Sequence, residues 1–283
     1  KTEQSDLMQA LYGRNGECPA VVIAASSPSD CFHYAFMAGK IAMEHMTPVI
    51  LLTDGFIANG SEPWRIPSMA DYPAICPPIV AVAPAEGEFM PYARNENLAR
   101  GWAFPGKKGL EHRIGGLEKD RLKGSISYDP ANHQEMTATR AAKVAKVAEE
   151  LPAPTIEGAA DADLLVIGWG GTRGNLHAAV KRLQAEGKSV AHLHFNYINP
   201  LPHGVAELLG GHKRIVVCEL NEGQFAPICV RISESSSSSN STSARVCPSP
   251  WSSWRRSSIH YFNRTESWQN INTLPPISRA TRS

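Results

Sequence analysis

Thr47-Pro48-Val49-Ile50-Leu51-Leu52-Thr53-Asp54-Gly55-Phe56 is the stretch whose reading decides the fold class. The run Val49–Leu52 is apolar at every position and is stopped by Asp54-Gly55. A strand without polar alternation is expected to be buried on both faces, as in a parallel sheet covered by helices. In such sheets ligands bind where the chain leaves the carboxyl ends of the strands. Asp54 is therefore a candidate ligand contact, with capping of the next turn as the equal structural alternative.

Upstream, Ala20–Ala25 reads as a second buried strand. Ser26-Ser27-Pro28-Ser29-Asp30 then starts a helix, with Ser27 as N-cap, Pro28 in the first turn and Asp30 as the capping-box acid. Tyr34, Ala38, Ile41, Ala42 and His45 fall on one face, while Glu44 and His45 read as surface and boundary residues. Strand, helix and strand make a βαβ unit, which is expected to be parallel and right-handed. A further strand is expected at 79–82. Residues 84–132 mix glycine, charge and aromatics without period, with turns at Gly115-Gly116 and Asp129-Pro130. A helix is expected over 135–151, and Pro152-Ala153-Pro154 ends it.

A second α/β unit follows: strand 163–167, a glycine turn Gly168-Trp169-Gly170-Gly171-Thr172-Arg173-Gly174, helix 175–185, strand 189–195, a short helix 205–209 and strand 214–218. The glycine turn resembles a phosphate cradle at a helix start. The next strand, however, carries no acid for a ribose, so a packing turn is the stronger expectation. His192 and His194 share a strand face and could begin a metal site, but no third ligand is evident in sequence. No G-x-S-x-G elbow occurs.

With 283 residues, about two domains are expected. No run is apolar and long enough to span a bilayer. The six cysteines form no C-x-x-C pair, which argues against a zinc ribbon or a cluster-binding ferredoxin run. Their scatter suits a reducing cytoplasm. The net charge of +1 conceals a division along the chain. Residues 228–283 hold seven Arg, no Lys and two acids, leaving 21 bases against 25 acids, net −4, in residues 1–227. No nucleic-acid surface or membrane partner is expected.

Several blocks, in order, resemble the α subunit of 2-oxoacid:ferredoxin oxidoreductases, closest to the 2-oxoglutarate type. They are Lys1-Thr2-Glu3-Gln4-Ser5-Asp6-Leu7, Tyr12-Gly13, Pro48–Asp54, Pro63-Trp64-Arg65-Ile66-Pro67, Gly109–Gly116, His133-Gln134-Glu135-Met136 and Glu219–Gln224. The resemblance covers residues 1 to about 227. It implies an α/β parallel-sheet pyrimidine-type domain of a thiamine-diphosphate enzyme, N-terminally truncated, followed by a transketolase-C-terminal-like α/β domain. The implied division is 1–100 for the rest of the pyrimidine domain, 101–150 for a connecting segment with a helix, and 151–227 for the second domain.

The resemblance also implies oxidative decarboxylation of a 2-oxoacid on thiamine diphosphate, coenzyme A taking the acyl group and ferredoxin the electrons. Magnesium and the diphosphate would be anchored mainly by a β subunit, which would also carry the iron–sulfur cluster. By the same resemblance Lys1, Thr2, Gln4 and Asp6 are expected at the substrate and Asp54 at the cofactor. The family's catalytic Glu and substrate Arg would lie upstream of Lys1, so the chain reads as a fragment without catalytic residues of its own. Another 2-oxoacid is the alternative substrate, and a non-catalytic nucleotide-binding or assembly module built on the 168–174 turn is the alternative class.

Residues 228–283 depart from the family: sixteen of these 56 residues are Ser. Degenerate codons for Arg245–Trp254, read from the last base of each codon, give GLPFTVVEL. The same offset turns Glu234–Thr242 into EFKFLQFN. Both resemble the family's ending, so a frameshift near Pro227 and an out-of-frame, disordered tail are expected.

Overall fold

The computed structural model describes residues 3–212, 214–236 and 243–248. In chain order, α1 (Leu7–Tyr12) leads to β1 (Val21–Ala24), α2 (Asp30–His45), β2 (Val49–Leu52) and the single turn α3 (Gly55–Ala58). After β3 (Ile79–Val80) and β4 (Trp102–Ala103) comes α4 (Pro130–Lys146). The second unit is β5 (Ile156–Glu157), β6 (Leu164–Trp169), α5 (Arg173–Ala185), β7 (Val190–Phe195), β8 (Tyr197–Asn199), α6 (Val205–Gly210), β9 (Arg214–Glu219), α7 (Ala226–Ser236) and β10 (Ser243–Pro248). Among the described residues no helix is long and apolar enough to cross a membrane.

The expected βαβ unit is present. β1 and β2 pair in parallel, with Val21 opposite Val49 and Ala24 opposite Leu52. The capping expectation is corrected: α2 begins at Asp30 with Ser29 at its N-cap, so Ser27 and Pro28 lie in the turn before it, where Ser27 Oγ accepts the Asp30 N–H at 3.3 Å and the Asp30 carboxylate meets Ser26 Oγ. Burial is expected of both strands and is found in β1 but not in β2. All four residues of β1 are buried, whereas β2 is half-buried throughout, because it is the edge of a three-stranded sheet ordered β2-β1-β8.

β8 enters that sheet from the second unit, antiparallel to β1. Consequently the two units share a core. Val22 and Ala24 on one face of β1 pack with Leu7 and Ala10 of α1 and with Leu165, Ile167 and Trp169 of β6. Val21 and Ile23 on the other face pack with Ile41 of α2 and with Val144 and Val147 at the end of α4. Burying both faces of one strand removes apolar area from water on each side, at roughly 25 cal/mol per Å². The second sheet is ordered β10-β9-β6-β7-β5 and is parallel except for β5.

Four other expectations are corrected. The strand at 79–82 shrinks to Ile79–Val80 and pairs with Trp102–Ala103 in a sheet of its own, so a boundary at residue 100 would cut through it. The helix expected from 135 begins at Pro130, because Asp129 caps it: its carboxylate accepts the Ala131 N–H at 3.0 Å and proline occupies the first position. His45 is fully buried and its Nε2 lies 3.0 Å from Glu150 Oε1, while Glu44 accepts the Cys76 N–H at 2.7 Å. Finally, α7 runs past residue 227 to Ser236, with Ile228, Cys229 and Ile232 on the core, so helical packing extends into the stretch expected to be disordered. Most of that stretch, 249–283, lies outside the described residues.

Candidate functional site

The carboxyl ends of β1 and β2 and the amino-terminal segment meet the glycine turn after β6. Between them lies a cleft lined by Glu3, Gln4, Ser5, Asp6, Leu7, Ala24, Ala25, Leu52, Thr53, Asp54, Trp169 and Gly170. It lies where sheet topology places ligands.

Gln4 is buried and fully used. Its Nε2 donates to the Trp169 carbonyl at 2.7 Å, its Oε1 accepts the Leu220 N–H at 2.9 Å, and its backbone N–H donates to the Leu220 carbonyl at 3.1 Å. Asn221 Nδ2 donates to the Gln4 carbonyl at 2.9 Å, and Gln224 binds the Met8 N–H and the Ser5 carbonyl. The loop 219–224 thus cradles the segment 3–8. Glu219 holds that loop from below. Buried at the end of β9, its carboxylate accepts Trp169 Nε1 at 3.1 Å and the N–H groups of Phe225 and Ala226 at 2.9–3.0 Å, so it also caps α7.

Asp54 closes the other side. Its Oδ1 accepts the N–H groups of Phe56 and Ile57 at 3.0 and 3.2 Å, capping α3. Its Oδ2 accepts the Gly171 N–H at 3.0 Å, at the turn that opens α5. A carboxylate at a helix start is favoured by the helix dipole. The glycines are required by this approach: a Cβ on Gly171 would lie 2.1 Å from Asp54 Oδ2, and one on Gly170, at φ +56°, would lie 2.8 Å from Gln4 Nε2. The anion at the glycine turn is therefore the protein's own Asp54. The packing reading of 168–174 is the one the contacts support, and this removes the motif on which a separate nucleotide module rested.

Of the expected site residues, Gln4, Asp6 and Asp54 come together at the cleft. Lys1 and Thr2 lie outside the described residues. Asp6 is exposed at the start of α1, hydrogen-bonded by Ser5. The described charged side chains lining the cleft are Glu3, Asp6 and Asp54, all acidic. Gln4 and Asp54 bind the protein's own backbone at each polar side-chain atom and so shape the cleft. The described residues thus do not fit a diphosphate-holding site, which needs donors and a cation.

Sequence reasoning passed over Glu219, Asn221 and Trp169 as individual site-builders. An acid directly after the apolar run Ile215–Cys218, at the carboxyl end of a parallel strand, was the available signal for Glu219. His194 is half-buried, yet both ring nitrogens are shut from solvent, and burial, followed by the neighbouring His192, lowers its pKa to about 3.

Residues 1–127 match the family "Pyruvate flavodoxin/ferredoxin oxidoreductase, thiamine diP-bdg". The chain is 50% identical over 233 residues to the 2-oxoglutarate oxidoreductase subunit KorA of Mycobacterium tuberculosis, covering 81% of this chain and 34% of that protein. It is 29% identical over 224 residues to subunit alpha of 2-oxoacid:ferredoxin oxidoreductase 1 of Aeropyrum pernix, covering 77% and 34% respectively. Among solved structures, the 2-oxoglutarate:ferredoxin oxidoreductase from Magnetococcus marinus, with 2-oxoglutarate, coenzyme A and succinyl-CoA bound, superposes with a TM-score of 0.72 at 26% identity, over 88% of this chain and 42% of that one. The chain thus spans about a third of the length of both of those sequence relatives. By sequence and by fold, it belongs to the family of 2-oxoacid:ferredoxin oxidoreductase α subunits.

Proposed function

We propose that the chain forms the pyrimidine-side part of an enzyme that oxidatively decarboxylates 2-oxoglutarate, with coenzyme A as acyl acceptor and ferredoxin as electron acceptor. The observation that carries this reading is the 50% identity to a 2-oxoglutarate oxidoreductase subunit, running through both α/β units. Thiamine diphosphate would supply the carbanion chemistry, and the protein placement and electrostatics. This chain's share is the shape of the cleft: Gln4 and Asp54 fix the amino-terminal segment and β2 against the second unit.

The diphosphate, magnesium and iron–sulfur cluster are assigned to a β subunit, in keeping with a cleft whose described charges are all acidic. A dicarboxylate substrate then needs a cation, and Lys1 is the residue we assign to its distal carboxylate, with Thr2, Gln4 and Asp6 around it. An out-of-frame origin for the residues after Pro227 remains part of this reading. So does a cytoplasmic location, which suits the free thiols of Cys18, Cys31, Cys76, Cys218 and Cys229.

The test is a chimera: residues 1–227 replace the matching segment of the Mycobacterium subunit, co-expressed with its partner. Coenzyme A-dependent reduction of an electron acceptor should run on 2-oxoglutarate well above pyruvate. An assembled chimera that prefers pyruvate would refute the assignment.

A further inference from the structure

The sequence left His192 without the ligands that a metal site needs; the fold supplies them. Glu157 on β5 stands directly opposite His192 on β7 in the antiparallel pair. His177, in the second turn of α5, comes down over both. Glu157 Oε2 lies 2.5 Å from His177 Nδ1 and 3.4 Å from His192 Nδ1, and the three atoms lie within 4.8 Å of one another. None of the three residues lines the cleft.

We propose that Glu157, His177 and His192 bind one divalent cation of the zinc class, stapling the edge strand β5 to α5 and β7. Zinc takes imidazole nitrogen and carboxylate oxygen at about 2.0–2.2 Å in a tetrahedron, which sets ligand atoms roughly 3.4 Å apart. The Glu157–His192 separation already has that value. His177 has to withdraw by about 1 Å, and its half-exposed side chain is free to do so. The remaining position is left for water.

Two features prepare the site. Arg173 Nη2 lies 3.7 Å from Glu157 Oε1, the other carboxylate oxygen, which leaves Oε2 to the imidazoles; such outer contacts orient ligands. His192 is fully buried on β7, which holds its ring in place with Nδ1 toward Glu157. Binding through Nδ1 takes the ring in the tautomer that carries its proton on Nε2, so the neutral imidazole keeps one N–H.

The Glu118–His133 pair provides an internal control. It has the same chemistry, 2.7 Å between Oε2 and Nδ1, and no third ligand grouped with it among the described residues. The metal-stripped 283-residue chain is titrated with Zn2+ against a chromophoric chelator, and with Co2+ in the visible range. One equivalent of Co2+ should give tetrahedral d–d bands without a thiolate charge-transfer band, and saturating Zn2+ should raise Tm by about 5 °C. His177→Gln and Glu157→Gln, each verified as folded by circular dichroism, should weaken Zn2+ binding at least tenfold and remove the Tm shift. His133→Gln should leave both unchanged. Equal Zn2+ affinity in the parent chain and His177→Gln, a thiolate spectrum, or no binding at micromolar Zn2+ would each overturn the proposal.

Discussion

Replacing Asp54 by alanine should cost far more than an ordinary loop substitution, because one carboxylate serves three backbone N–H groups in two units. Loss of the cap on α3 costs about 1 kcal/mol, and orphaning the part-buried Gly171 N–H about 1–3 kcal/mol. Together these give about 2–4 kcal/mol, or a fall in Tm of roughly 5–12 °C for a chain of this size. The sharper test is a double-mutant cycle. Gly171→Ala alone places a methyl 2.1 Å from Asp54 Oδ2, and overpacking of this kind costs about 1–3 kcal/mol. With Asp54 already alanine, that clash partner is gone, so the double variant should be close to Asp54→Ala alone. Thermal unfolding of the four proteins gives a coupling energy of about 1–2 kcal/mol if the clamp is real. Strict additivity would refute the claim that these two residues meet.

Three further outcomes are expected. Glu219→Ala should lower stability by about 3–5 kcal/mol in urea unfolding, because it orphans the buried donors of Trp169, Phe225 and Ala226; a loss under 1 kcal/mol would contradict that network. Deleting residues from 228 onward should lower Tm, since Ile228, Cys229 and Ile232 pack on the core; an unchanged Tm would restore the disordered reading of that whole stretch. Burial, then Arg94, Arg100 and Arg140, lowers the Lys143 pKa to about 8. The unfolded chain therefore binds the extra proton between about pH 8 and 10.4, and stability relative to Lys143→Met should rise across that window, by about 1–3 kcal/mol in all; parallel pH profiles would contradict it.

Much of this architecture was legible from apolar runs and caps. Val21–Ala24 and Val49–Leu52 announced a parallel βαβ unit, and Ser27 with Pro28 marked the turn that leads into α2, though not its first residue. Both strands read as buried; that only β1 is fully so was not legible, because β8 pairs with the far edge of β1 from far downstream, Tyr197 against Ile23, and leaves β2 at the sheet edge. The Asp129-Pro130 pair was visible but admits two physical meanings, a turn and a helix cap. Only packing of Met136 and Val144 selects the cap. The glycine turn was equally ambiguous, because small residues serve close approach of any anion. The structure identifies that anion as Asp54, a residue 117 positions away. His192 was noticed, but its partners Glu157 and His177 come from other elements, and strand spacing carries no information about them.

The central claim is that the cleft framed by Gln4 and Asp54 is the pyrimidine side of a 2-oxoglutarate site. Steady-state kinetics of the chimera, with Lys1→Met and Gln4→Ala against the remote, exposed Arg121→Ala, test it most directly. Lys1→Met should raise KM for 2-oxoglutarate about ten- to a hundredfold through loss of a charge-assisted contact, with little effect on pyruvate. Gln4→Ala should lower kcat/KM for both substrates, and Arg121→Ala should change neither. Equal losses for the two substrates in Lys1→Met, with Gln4→Ala indistinguishable from Arg121→Ala, would contradict the account.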